Sequence, residues 1–161
     1  MSNQQLISRE IQRLHDFFTA WFNGTIAEAE YDRQCGNHLS KNFLNVQPGG
    51  ARLTREVFNA AIKSGYGANP DFKILTRNAE IREILVDGKL WLVTYEEYQK
   101  GAKSSANHNA RFSTLLIEQR GEGGNLEGTI HEGTDQVGYL WHHIHETWLP
   151  ADHHGPEYFE F

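Results

Sequence analysis

The longest aromatic and apolar stretch of the chain is GYLWHHIHETWLP, residues 138–150, which a glycine and a proline bound at its two ends. In a β-strand, successive side chains point to opposite faces, so this stretch divides into two sets. The even-numbered set is Leu140, His142, Ile144, Glu146 and Trp148, and the odd-numbered set is Tyr139, Trp141, His143, His145 and Thr147. Neither set is simply polar, so we expect both faces to be covered. The stretch is therefore predicted to be a central strand, with helices on one face and a second subunit on the other.

Composition restricts the class of protein. A chain of 161 residues with 39% hydrophobic residues is expected to form one domain with a single core. A net charge of −6 and the lack of basic clusters argue against binding to nucleic acid or to a membrane surface. Cys35 is the single cysteine, which excludes an intrachain disulfide and favours a cytoplasmic location. No apolar run reaches the ~20 residues that a membrane-spanning helix needs.

The predicted elements are three helices followed by four strands. Apolar residues recur at helical spacing over residues 4–22, and an Asn-Gly pair at 23–24 ends this helix. Helices are also predicted over 26–34 and from Thr54, with short strands at 42–47 and 51–53 between them. Extended runs at 72–86, 90–99, 109–120 and 140–149 follow. Asp87-Gly88 predicts a hairpin turn, and the glycine-rich segment 121–136 predicts an exposed loop.

Separated helices and strands indicate an α+β fold, here three N-terminal helices packed in a strongly curved, mostly antiparallel sheet. The apolar phase slips within residues 72–86, which predicts bulges that bend the sheet. Such a sheet around the first helix forms a cone with a cavity at its wide end. We expect a single domain over residues 1–161, with a core at 5–150. The tail at 151–161 carries Tyr158, Phe159 and Phe161 and is expected to dock.

Three sequence segments carry a resemblance to a known family: VTYEEYQ at 93–99, RFST at 111–114, and residues 141–148. Together with the first helix and the Pro-Gly-Gly turn at 48–50, they resemble the nuclear transport factor 2-like superfamily. Within it, SnoaL-type polyketide cyclases and the calcium/calmodulin-dependent kinase II association domain are the nearest groups. The resemblance implies a cystatin-like cone with an internal pocket and a homodimer through the outer sheet face. It does not choose among isomerases, dehydratases, epoxide hydrolases, transport factors and oligomerisation modules.

The even-numbered face of strands 90–99 and 140–149 runs from apolar residues to carboxylates and aromatics, so we expect it to face the cavity. Glu96 and Glu146 would then stand ~10 Å apart across one strand. Two carboxylates in a half-dry pocket push one pKa upward, which suits a general acid or base. Alternatively, both lie solvated or paired at the rim. The predicted ligand-binding residues are Phe17, Trp21, Glu96, Tyr98, Arg111, Glu146 and Trp148, with Glu96 and Glu146 as catalytic candidates.

The opposite face is predicted to form the homodimer interface. Its aromatic and hydrogen-bonding side chains suit a contact between two copies: Trp91, Tyr95, Trp141, His143 and His145. Arg111 fits either face: inside it would bind a carboxylate, and outside it would pair with Glu97. His143 and His145, with Glu97, have a weak metal-binding pattern, and interface histidines are the preferred interpretation. We expect no metal and no cofactor.

The sequence therefore predicts a homodimeric, cone-shaped domain that binds a small organic molecule of unknown identity. One alternative is a cofactor-free lyase or isomerase, of the SnoaL or ketosteroid-isomerase kind, that uses a pocket carboxylate. The other is an oligomerisation or protein-interaction module. A cavity filled by side chains would favour that last alternative.

Overall fold

The computed structural model describes residues 2–85, 89–103, 108–120, 138–150, 152 and 155–161. In chain order, the elements are α1 (Asn3–Asn23), α2 (Tyr31–Gln34), β1 (Leu39–Val46), β2 (Arg52–Thr54), α3 (Arg55–Ser64), β3 (Lys73–Glu83), β4 (Leu90–Lys100), β5 (His108–Gln119) and β6 (Tyr139–Trp148). Short 3₁₀ turns occupy 28–30, 36–38 and 156–159. The predicted turn at Asp87-Gly88 and the predicted loop at 121–136 lie outside the described residues.

The ends of α1 follow from local chemistry. The Ser2 side chain accepts a hydrogen bond from the Gln5 amide, and the Gln5 side chain binds back to the Ser2 backbone, which forms a capping box. Gly24 ends the helix in a left-handed conformation, with φ of 74°, as the Asn-Gly signal predicts. The helix predicted over 26–34 is shorter, because Ala27 is extended and only Tyr31–Gln34 forms an α-turn.

The six strands form one sheet in the order β2-β1-β6-β5-β4-β3. β3 to β6 are an antiparallel meander, and β1 pairs with β6 in parallel. The prediction that the strand at 139–148 is central is confirmed, since it lies between β1 and β5. The α+β fold with a mostly antiparallel sheet is also confirmed.

Two bulges bend the sheet and set the direction of side chains. In β3 the pairing shifts between Arg77 and Glu80, and Asn78 between them has a φ of 55°. This is the first of the predicted phase slips. In β6 the pairing to β5 also shifts, because Ile117 faces Trp141 whereas Leu116 faces His143. His142 is the extra residue of this bulge, so odd-numbered side chains point inward before it and even-numbered side chains point inward after it.

The core lies between α1 and the inner face of the sheet. Side chains from α1 are buried against odd-numbered residues of β4 and β5 and against β6; the cluster includes Ile7, Ile11, Leu14, Phe17, Trp21, Trp91, Val93, Tyr95, Leu115, Ile117 and Trp141. The prediction that even-numbered residues of β4 face inward is therefore wrong. Trp91, Tyr95 and Trp141 cannot form a dimer interface, because each is at most 5% exposed beneath α1.

The C-terminal tail docks on the outer face of the sheet, as expected. Tyr158 stacks on Tyr98 with ring centroids 5.4 Å apart, and Phe159 meets Tyr98 edge-on at 5.7 Å. The Arg77 guanidinium lies 5.6 Å from the Tyr158 ring and donates a hydrogen bond to the Tyr158 carbonyl. Tyr98 and Glu96 are consequently buried outside the cone rather than within it. Among the described helices, none is long and apolar enough to cross a membrane.

Candidate functional site

A cavity of about 320 Å³ lies between α1, α3 and the inner face of the sheet. One side of the cavity is apolar, and the other carries hydrogen-bonding and charged groups. The apolar side chains are Phe18, Phe22, Phe58, Ile62, Phe72 and Ile74, and the polar ones include His15, Asn45, Tyr95, Glu97, Gln99, Arg111 and Glu146. The amphipathic lining is typical of a pocket for a small organic molecule.

The apolar wall is built from aromatic contacts between elements. Phe18 meets Phe58 edge-on at 6.3 Å, and Phe22 meets Phe72 at 5.3 Å. The predicted pocket residues Phe17 and Trp21 each lie one position earlier on α1. Since one residue turns a helix by ~100°, they point into the core instead. Trp21 donates its indole N–H to the Ile62 carbonyl at 2.7 Å.

His15 and Glu97 form a buried ion pair at the polar side of the cavity. His15 Nδ1 lies 2.7 Å from the Ile11 carbonyl, and Nε2 lies 3.2 Å from Glu97 Oε2. A carbonyl and a carboxylate only accept, so both ring nitrogens donate and the imidazole is protonated. Burial alone would lower the pKa of His15, but the hydrogen bond and charge of Glu97 outweigh it and raise the pKa.

Glu97 is held in its charged form. Burial would raise its pKa, but His15, Arg111 and a 2.6 Å hydrogen bond from Gln99 lower the pKa to about 2. Tyr95 lies beside the pair, with its hydroxyl 3.5 Å from His15 Nε2. Burial and the nearby carboxylates raise the pKa of Tyr95 well above its usual value, which keeps this hydroxyl neutral.

Glu146 is the second carboxyl of the cavity, and its pKa is shifted in the direction opposite to that of Glu97. Burial raises the pKa of Glu146, and the negative charge of Glu97 raises it further. Arg111 at 3.4 Å and Asn45 at 3.2 Å offset only part of this effect. Two carboxylates that share a pocket therefore titrate apart, as the sequence reasoning expects. The pair is Glu97 and Glu146, however, not Glu96 and Glu146.

The structure places Glu96 and Tyr98 on the outer face. Glu96 accepts hydrogen bonds there from Asn78 at 2.8 Å and from the Tyr98 hydroxyl at 2.9 Å. The prediction that they line the cavity is wrong, because adjacent strand residues face opposite ways and odd-numbered Glu97 points inward.

Arg111 faces the cavity, which decides between its two predicted orientations. Its Nη1 lies 3.4 Å from Glu146 Oε1, and its Nη2 lies 3.1 Å from Asn109 Oδ1. The guanidinium carbon lies 4.9 Å from the centre of the Trp148 ring, and Trp148 is 47% exposed. Trp148 therefore contacts the site through Arg111 rather than lining the cavity itself.

His143 and His145 lie on the outer face, with ring centroids 6.2 Å apart. Burial and the neighbouring His145 lower the pKa of His143. Glu97 points to the opposite face, so it cannot complete a metal site with these histidines. In the ranges that the structure describes, no group of three or more His, Cys, Asp or Glu side chains could hold a metal ion.

Sequence reasoning missed His15 and Asn45. His15 lies four residues after Ile11 and three before Phe18, within the apolar stripe of α1. A histidine in such a stripe needs a buried partner, and this requirement is the signal that could have identified it. Asn45 has no comparable signal, because its role depends on the parallel pairing of β1 with β6.

The α+β cone is the fold of solved structures described as NTF2-like and cystatin-like, so the fold that the sequence resemblance implies is confirmed. No protein-family model matches the chain, and no curated protein matches it. Solved structures share the fold at low identity. An NTF2-like protein of unknown function from Pseudomonas aeruginosa is 21% identical, with a TM-score of 0.70, over 90% of this chain and 99% of that one.

Two further structures show the breadth of the class. An uncharacterised protein with a cystatin-like fold from Caulobacter vibrioides is 19% identical, with a TM-score of 0.60, over 92% of this chain and 91% of that one. A candidate ketosteroid isomerase from Shewanella frigidimarina is 11% identical, with a TM-score of 0.54, over 88% of this chain and 94% of that one. At these identities the likeness concerns the fold alone.

Proposed function

We propose that the chain binds a small amphipathic organic molecule in the cavity between α1 and the inner face of the sheet. The observation that carries this proposal is the division of the 320 Å³ cavity into an aromatic wall and a polar wall. The lining side chains leave this volume open, whereas a purely structural module is expected to fill its cone with side chains. This consideration favours binding over a purely structural oligomerisation module.

The polar wall is already organised for a ligand. Hydrogen bonds join His15 and Gln99 to Glu97, so the positions of these side chains do not depend on a bound molecule. Preorganised groups lose little conformational entropy on binding, which favours affinity. A ligand with an apolar body and one polar end would therefore match both walls.

A cavity-filling variant tests the proposal. In Ile62→Phe, the added ring enters the cavity, whereas Val57→Phe places the same ring on the exposed side of α3, where Val57 is 51% exposed. With 3-phenylpropan-1-ol as the probe, saturation-transfer NMR should detect binding to the unmodified protein and to Val57→Phe. Ile62→Phe should bind at least tenfold more weakly. Equal binding by both variants would show that the probe lies elsewhere.

A second candidate function is cofactor-free proton transfer, as in a lyase or isomerase, with Glu146 as the acid or base. The specific observation is its raised pKa beside the cavity, since a general base works best with a pKa near the working pH. In D₂O, the protein should accelerate deuterium exchange next to the carbonyl of 4-phenylbutan-2-one, and Glu146→Gln should not. A Glu146 pKa at or below the usual glutamate value would exclude this role.

The homodimer remains part of the proposal, with a revised surface. The outer face of β4, β5 and β6 presents half-buried Leu92, Leu116 and Leu140 together with Phe112, which is 40% exposed. His143 and His145 lie on the same face. Apolar area of this kind favours contact with a second copy. Sedimentation should give a dimer that Leu116→Glu dissociates and that Val57→Glu, on exposed α3, leaves intact. A monomeric unmodified protein would refute it.

A further inference from the structure

Arg111 has unused binding capacity within the cavity. Its Nη2 donates to Asn109 at 3.1 Å, but its contacts with Glu146 and Gln99 are both 3.4 Å long, whereas a committed guanidinium–carboxylate pair has N–O distances of ~2.8 Å. Its Nε is buried and has no hydrogen-bond partner among the described residues. A buried donor without an acceptor carries a desolvation cost, which an acceptor would remove if the guanidinium turned towards it. The cavity thus presents a fork of donors that suits a planar anion.

We propose that the ligand is a small monocarboxylic acid whose carboxylate binds Arg111, and that Glu146 takes up one proton as the ligand binds. This inference rests on the proposed ligand-binding function and narrows it to one chemical class. The cavity of about 320 Å³ has room for roughly ten water-sized groups at ~30 Å³ each. An aromatic ring with a short acid side chain fits that size, with the ring against Phe18, Phe22 and Phe58.

The proton follows from the charges that face Glu146. His15 and Glu97 neutralise each other, Tyr95 is uncharged, and Arg111 is the cation that partly balances Glu146. Lys103 lines the cavity as well. Once a ligand carboxylate takes the donors of Arg111, Glu146 loses its partner and faces the negative charge of the ligand. Protonation of Glu146 removes that repulsion, and no other bond forms or breaks.

The same proton has a second effect on the complex. A protonated carboxyl is a hydrogen-bond donor, so Glu146 can then donate to the bound carboxylate. The ligand would accept from Arg111 on one side and from Glu146 on the other. This arrangement discriminates against the neutral amide, which has one accepting oxygen and an NH₂ group that only donates, and against an amine, whose positive charge would face Arg111.

Calorimetric titration with three matched probes tests the inference: 3-phenylpropanoate, 3-phenylpropanamide and 3-phenylpropylamine. The acid should bind the protein at least tenfold more tightly than the amide or the amine at pH 6. Its affinity should fall about tenfold for each pH unit above the pKa of Glu146, as uptake of one proton requires. At a pH above the pKa of Glu146, where its carboxyl is ionised before the ligand binds, buffers with different ionisation enthalpies should show about one proton taken up.

Two variants separate charge from geometry. Arg111→Lys keeps the charge and removes the fork, so the acid should bind at least tenfold more weakly. Arg82→Lys is the matched control, since Arg82 lies on the outer face with a side chain that is 63% exposed. Glu146→Gln should bind the acid with no dependence on pH. Because the comparison of acid and amide needs no variant, poor folding of Arg111→Lys would not obscure the result.

The outcomes distinguish the two levels of the proposal. Equal binding of acid and amide, or preference for the amine, overturns the carboxylate assignment but supports a small-molecule pocket. Tight acid binding without proton uptake overturns the role of Glu146. Failure of all three probes and of the neutral alcohol overturns the proposed function itself.

Discussion

Glu97→Gln removes the negative charge of the buried ion pair and should destabilise the protein strongly. His15 and Arg111 hold the pKa of Glu97 below its usual value of 4.5, and removing one partner of a buried ion pair costs roughly 3 kcal/mol. Because the pKa in the folded state lies below the unfolded value, this stability is present above pH 4.5. It is lost as the pH falls towards 2.

His15 makes the stability of the folded state depend on pH at higher pH values than Glu97 does. Its pKa is raised above 6.5, so its contribution is complete below pH 6.5 and is lost as the pH rises through the folded-state value. The stability of the unmodified protein should therefore be highest between about pH 4.5 and 6.5 as far as this pair is concerned. In Glu97→Gln, both slopes should become shallower, because neither charge is stabilised any longer.

Urea unfolding at a series of pH values measures this effect. At pH 6, Glu97→Gln should lose roughly 3 kcal/mol, which for a domain of this size is a decrease in Tm of roughly 6–12 °C. Glu80→Gln is the control, because Glu80 lies on the same sheet with a side chain that is 67% exposed. The double variant His15→Gln with Glu97→Gln should recover part of the loss, since no unpaired buried charge remains. A loss below ~0.5 kcal/mol with the pH dependence unchanged would refute the assigned ion pair.

Three further changes test other parts of the structure. Glu146→Gln should leave unfolding at pH 8 unchanged or shift it to higher urea, because burial raises the pKa of Glu146 and so penalises its charged form. Gly65→Ala should weaken binding of 3-phenylpropan-1-ol, because a Cβ there would stand 2.5 Å from the Phe22 ring and displace it; a crystal structure would show the shift. Tyr158→Ala should cost roughly 1 kcal/mol in urea unfolding through loss of its stacking on Tyr98.

The fold could be predicted because helix periodicity, caps and strand alternation are local signals. The site depends instead on which face of its strand each residue occupies. In β4, apolar residues occupy both faces, with Trp91 and Tyr95 on one and Leu92 and Tyr98 on the other. Adjacent Glu96 and Glu97 then lie on opposite faces, so the choice of face decides which carboxylate enters the cavity. The tail buries the outer residues as well, and the alternation alone could not distinguish core from covered surface.

In β6, the alternation of side chains predicts the inward-facing residues correctly for only half of the strand. Ile144 and Glu146 face inward as predicted, whereas Tyr139 and Trp141 also face inward because of the bulge at His142. Nothing in the residue types marks that position, since histidines occupy 142 and 143 alike. The buried partner of His15 likewise depends on tertiary contact over 82 residues, a separation that periodicity cannot resolve.

The pairing of β1 with β6 affects the order in which the protein folds. Asn45 and Glu146 are 101 residues apart in the chain, and their contact requires β6 to insert beside β1. Long-range closure of this kind is slow, because the entropy of the intervening loop is lost before the contacts form. On the ribosome, α1 and β1 emerge well before β6. The apolar stripe of α1 therefore stays uncovered until β6, the central strand, has been synthesised. Binding competence should therefore appear late in folding, after the hairpin of β4 and β5 has formed.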